Sequence, residues 1–136
     1  MPGPPGPGRR YRAGMIPPAP AVAAGQIVTV FRSRLRPEAA GEYAATAAEI
    51  EALARTMPGL VDVKAFTAED GERVTVVTFA DEESQRAWRE QADHRAAQRA
   101  GRDRFYAAYT IQVCRTIGTR SFVANLRPDR LDAPLP

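Results

Sequence analysis

What most constrains this chain is a repeated change of apolar period between residues 26 and 116. "QIVTVFRSRL" (26–35) alternates, with Ile27, Thr29 and Phe31 on one face and Val28 and Val30 on the other. Pro37 suits a first helical turn. Tyr43, Ala47, Ile50, Ala54 and Met57 then recur at helical spacing as one apolar stripe, which Pro58-Gly59 ends. "LVDVKAF" (60–66) and "RVTVVTFA" (73–80) return to strand composition, joined through "TAEDGE", where Asp70-Gly71 signals a turn. Asp81 can cap a helix over "EESQRAWREQ", and a second helical piece covers about 93 to 105. In "YAAYTIQVCRT", Tyr109, Ile111 and Val113 alternate with Thr110, Gln112 and Cys114. The order is β-α-β-β-α-β, the ferredoxin-like plan of an α+β domain.

That plan puts both helices on one face of an antiparallel sheet. Either face of the first strand carries large apolar groups, so the face without helices needs a cover. A second copy stacked sheet against sheet supplies one, and the pattern predicts a homodimer.

Composition narrows the partners. Of the 19 basic residues, Arg9, Arg10 and Arg12 lie within residues 1–25, which hold no acid; the 16 that remain face 16 acids. The body is neutral, and no basic stripe marks a nucleic-acid surface. No uncharged apolar run reaches the length of a membrane span, and "MPGPPGPGRRYRAGMIPPAP" has no secretory apolar core, so a cytoplasmic protein is expected. Residues 1–24, rich in Pro, Gly and Ala, read as a flexible arm; residues 25–123 read as the domain and 124–136 as a C-terminal tail. A lone cysteine allows no internal disulfide. Alternation makes Cys114 a small buried hydrophobe. With one His, no clustered acids and no Gly-rich phosphate loop, neither metal nor nucleotide cofactor is expected.

The stretch 87–115 resembles the antibiotic biosynthesis monooxygenase family, through Trp88, "DHRAAQRAGR" (93–102), Tyr106, Tyr109 and Val113. "IVTVFRSRLRPEAAGEY", "MPGL" and "VVTFADEESQRAW" agree upstream, and the similarity spans roughly 26–122. The resemblance implies a dimeric α+β barrel. Its best-known members oxidise aromatic polyketides to quinones with O₂, without metal or flavin; others degrade haem. An Asn and a Trp linked to activity in the quinone-forming members align with Thr78 and Glu82 here.

The signature of the broader group is Trp88, His94, Arg102 and Tyr109. A neutral His94 can take a phenolic proton, or it can cap the junction of two helical pieces. Tyr109 can orient a substrate carbonyl, or bond at a cavity rim. Trp88 can stack on a planar substrate or fill the core, and Arg102 can bind a carboxylate or enolate, or serve as a helix-end charge. Phe79, Tyr43 and Tyr106 are core or cavity lining. The expected function is cofactor-independent oxygenation of a planar phenolic or enolic, polyketide-like substrate in secondary metabolism. The alternatives are a non-oxidative cyclase or isomerase, and a non-catalytic dimeric ligand-binding protein.

Overall fold

The computed structural model describes residues 21–91 and 104–124. Residues 22–119 form one compact unit; the other comprises residues 1–21 and 120–136, of which 120–124 have no regular structure and expose Phe122 and Val123. Most of the arm and of the tail therefore lies outside the described residues.

The elements follow the anticipated order: β1 (Ile27–Leu35), a 3₁₀ turn (Pro37–Ala39), α1 (Ala40–Arg55), β2 (Leu60–Thr67), β3 (Arg73–Phe79), α2 (Glu82–Glu90) and β4 (Tyr106–Arg115). The second helical piece, with His94 and Arg102, lies outside the described residues apart from Arg104 and Phe105. The strands form one antiparallel sheet in the order β2-β3-β1-β4, which is the ferredoxin-like arrangement. No helix among the described residues is long and apolar enough to cross a membrane.

Local chemistry explains the boundaries. Pro37 opens the turn ahead of α1, where its missing N–H removes no bond. The Asp81 carboxylate accepts from the Ser84 backbone N–H at 2.8 Å and caps α2. Gly59 has φ +84° and lies so close to Ser84 that a Cβ would collide with that side chain. Only glycine lets the chain leave α1 and enter β2 against the start of α2. Gly71, at φ +91°, closes the β2–β3 hairpin, and Asp70 seals it by accepting from Glu72 N–H at 3.0 Å.

Backbone bonds bracket the central β1–β4 pairing. Gly25 N–H donates to Thr116 O at 2.9 Å at one end, and Arg36 N–H donates to Phe105 O at 2.7 Å at the other. Two irregularities adjust the faces. Arg34 pairs with Ala108 but Leu35 with Tyr106, so Ala107 is an extra residue in β4; Val61 plays the same part in β2.

Register fixes which residues share a face. Ile27, Thr29, Phe31, Ser33 and Leu35 belong to the helix side with Arg73, Thr75, Val77 and Phe79, while Val28, Val30, Val74 and Val76 look the other way. Those four valines are half-buried and their neighbour Phe66 is 52% exposed. Cys114 belongs to the same outer face, opposite Val28, and is exposed. The expectation of a buried cysteine is thus corrected. Alternation placed it correctly on a face, but neither helix covers that face and β4 is its edge.

Candidate functional site

Two apolar clusters separate α1 from the sheet. In one, Ala54, Phe79 and Trp88 are buried with Ile50, Leu53, Met57, Leu60 and Val77 packed around them; in the other, Ala39, Tyr43 and Phe105 are buried beside Leu35, Ala47 and Tyr106. The stripe anticipated on α1 feeds both. Between them is a cavity of about 240 Å³, near the lower end of small-molecule pockets, roughly 300 Å³.

Both described helices and all four strands contribute to its wall. Tyr43, Ala47, Ile50, Glu51 and Ala54 come from α1, and Gln85, Trp88 and Arg89 from α2. The floor is Thr29 and Phe31 of β1, Val63 of β2, Thr75 and Val77 of β3, and Tyr106, Tyr109, Ile111 and Val113 of β4. Phe105 adjoins them at the start of β4. Tyr109, Ile111 and Val113 are 38%, 43% and 52% exposed, so the wall opens toward the β4 edge.

One end of the cavity is aromatic and carries hydroxyls. Tyr106 stands edge-on to Phe31 at 5.3 Å and to Tyr43 at 5.7 Å, and Tyr109 is 5.5 Å from both Phe31 and Tyr106. Such offset pairs hold rings rigidly. The Ala107 bulge makes this possible: three residues apart on a regular strand, Tyr106 and Tyr109 would face opposite ways. Burial pushes the Tyr106 phenol far up from its ordinary value; the adjoining Tyr43 adds to this and Arg73 opposes it. Tyr106 is therefore a neutral hydrogen-bonding group at any physiological pH.

The anticipated residues fall into three groups. Tyr43, Trp88 and Tyr109 all line the cavity. Trp88 does so while 7% exposed, its ring 6.5 Å from that of Phe79, so core filling and cavity lining coexist in one side chain. Phe79 is fully buried, packs behind Trp88 and is not among the lining residues. His94 and Arg102 lie outside the described residues. Thr78 belongs to the outer face, paired with Val28, and Glu82 bonds Arg115 at 2.9 Å on the surface; neither lines the cavity.

Sequence reasoning passed over Thr29, Ser33 and Arg73. Each has a buried polar atom with no hydrogen-bond partner: Thr29 Oγ1, Ser33 Oγ and Arg73 Nε. The available signal was phase, because all three fall on the apolar register of their strands, where a polar group costs free energy unless satisfied. No group of three or more His, Cys, Asp or Glu placed to hold a metal occurs among the described residues.

Known proteins resemble this chain in sequence or in fold. The Bacillus subtilis protein YqjZ is 29% identical over 96 residues, covering 71% of this chain and 84% of that protein. The fold matches Rv0793 from Mycobacterium tuberculosis with a TM-score of 0.64 at 14% identity, over 71% of this chain and 100% of that one. It matches SnoaB, a cofactor-independent oxygenase from Streptomyces nogalater, with a TM-score of 0.61 at 18% identity, over 71% and 97%. The family description that fits residues 26–100 is antibiotic biosynthesis monooxygenase, and the chain belongs to that family.

Proposed function

We propose that the chain is a cofactor-independent monooxygenase-type enzyme acting on a planar phenolic or enolic, polyketide-like substrate. The observation that carries the reading is the cavity between α1 and the sheet, apolar along its walls, with tyrosine hydroxyls gathered at one end. Family membership and the likeness to a cofactor-independent oxygenase support it.

In this reading Trp88 and Tyr43 sandwich the rings, Tyr109 orients a ligand oxygen, and His94 takes the phenolic or enolic proton, with Arg102 near the resulting anion. The electron-rich anion reduces O₂, so the substrate itself is the reductant. For a ring methylene, one oxygen atom enters as the carbonyl. The other leaves as water with the two hydrogens of that carbon. Phe79 has no contact with the substrate and holds Trp88 in place. The proposed assembly is a homodimer that covers the outer face of Val28, Val30, Val74 and Val76.

The test is oxygen uptake with a tricyclic anthrone, combined with mass analysis of the product. Uptake matched to ketone formation supports the reading. Turnover that persists without oxygen replaces it with a cyclase or isomerase, and binding without turnover replaces it with a ligand-binding protein. The last outcome has a structural basis, since Glu51 and Arg89 are the only lining groups among the described residues that are charged at neutral pH. Within the enzymatic reading, His94→Ala lowers turnover by roughly 10²-fold and leaves thermal unfolding unchanged.

A further inference from the structure

The aromatic end of the cavity is backed by a cation that has no carboxylate partner among the described residues. Arg32 pairs with Glu72 at 2.7 Å, Arg34 with Asp70 at 2.8 Å and Arg55 with Glu51 at 2.9 Å, and Arg104 pairs with Glu42. Arg73 has no ion pair among the described residues. Its guanidinium instead lies 5.2 Å from the centre of the Tyr43 ring, and its Nε is buried without a partner. Ser33, directly opposite Arg73 in the β1–β3 register, is 3% exposed, and its hydroxyl is also unpartnered. Two paired residues thus hold unused polar groups behind Tyr43 and Tyr106. Unsatisfied buried donors destabilise a fold, and a cation beside phenolic hydroxyls is suited to a negatively charged oxygen.

We infer that this end of the cavity receives the ionised oxygen of the ligand, a phenolate or enolate, which the Tyr43 and Tyr106 hydroxyls touch while Arg73 stabilises the charge from behind. Arg73 is then a positioning residue acting through the tyrosines, and the site selects the anionic form of its ligand. The inference rests on the cavity being the ligand site. It adds which end holds the charge and which residue makes that end favourable.

The other charged groups do not oppose this. Glu72 and Asp70, next to Arg73 in sequence, are engaged by Arg32 and Arg34. Glu42 is held by Arg104. Glu51 lines the cavity but is bonded to Arg55, and it lies two turns along α1 from Tyr43, about 12 Å. Arg89, on α2, has the same sign as Arg73. Tyr106 stays neutral and so remains a donor.

The experiment is a spectroscopic titration of 2-hydroxyanthraquinone, whose absorption moves to longer wavelength on ionisation, free and bound to the full chain. Bound to the wild-type protein, its pKa is expected to fall by about one unit or more, the size of effect a nearby opposite charge produces. Arg73→Gln should abolish most of that fall, whereas Arg73→Lys, which loses the ring stack but keeps the charge, should retain it. A role in packing alone would make the two variants equal. An unshifted or raised bound pKa in the wild type overturns the inference and leaves the cavity reading standing. An absence of saturable binding overturns the cavity reading and the inference together. Should Arg73→Gln fail to fold, Arg73→Met, which keeps the aliphatic stem and removes the charge, takes its place in the comparison with Arg73→Lys.

Discussion

The two aromatic clusters under α1 are built from similar side chains and do different work. Phe79 and Trp88 pack against Ala54, Ile50 and Leu60, and apolar contacts make up that cluster. Tyr43, Tyr106 and Tyr109, with Phe31, surround one end of the cavity and bring hydroxyls, an arginine and an unpartnered serine with them. The contrast teaches that aromatic density alone does not mark a site. Polar atoms left unsatisfied on an apolar register do, because packing gives no reason to keep them.

The largest effect that would break this contrast lies in the first cluster. Phe79→Ala and Trp88→Ala should each cost about 3–5 kcal/mol of stability, read from urea midpoints. Phe79→Ala should weaken the affinity of its folded fraction far less than Trp88→Ala does, because Phe79 acts only through Trp88. A Phe79→Ala protein of normal stability and poor binding would put Phe79 in the site.

Tyr106→Phe sharpens the other half. It preserves the ring contacts with Phe31 and Tyr43, so stability should move by less than about 1 kcal/mol. Losing a hydrogen bond to a charged oxygen should weaken binding of the phenolate about tenfold or more, measured by titration above the pKa of the ligand. Equal affinity for phenolate before and after would reduce Tyr106 to a packing residue.

The smallest effect concerns the helix that carries Trp88. Bonds from the backbone and side chain of Ser84 hold the Asp81 carboxylate below its ordinary value of 3.8. A depressed carboxylate stabilises the fold above its unfolded pKa, and that contribution is lost as pH falls through the folded value. Asp81→Asn keeps a capping side chain and should match the wild type near neutrality while losing less of its thermal stability below pH 4. Identical acid profiles would mean that the charge of Asp81 adds nothing to the cap.

Much of the fold was legible because it is written locally. Strand alternation, the Tyr43-to-Met57 stripe, the Asp81 cap and the glycine stops each depend on a few neighbouring residues. Placement of Trp88, Tyr43 and Tyr109 followed from those periods together with the family resemblance. Three features were not legible. Cys114 was assigned to the interior because alternation gives a face and not its cover. The shared side of Tyr106 and Tyr109 is not legible, since nothing in "FYAAYT" announces that Ala107 is an extra residue. Arg73 drew no notice because its meaning depends on Ser33, forty positions away, and on a tyrosine from α1.

The opening beside β4 has a bearing on how the protein survives in concentrated solution. β4 is an edge of the sheet, and the row Tyr109, Ile111 and Val113 that borders the cavity is more than a third exposed. An edge strand with a bare apolar row is the usual template for self-association into fibrils. Arg104 and Arg115 flank it, ion-paired to Glu42 and Glu82, and act as charged gatekeepers at its two ends. The open side of the cavity is thus also the adhesive part of the molecule, and the ligand proposed to fill it should protect against aggregation as well as against unfolding.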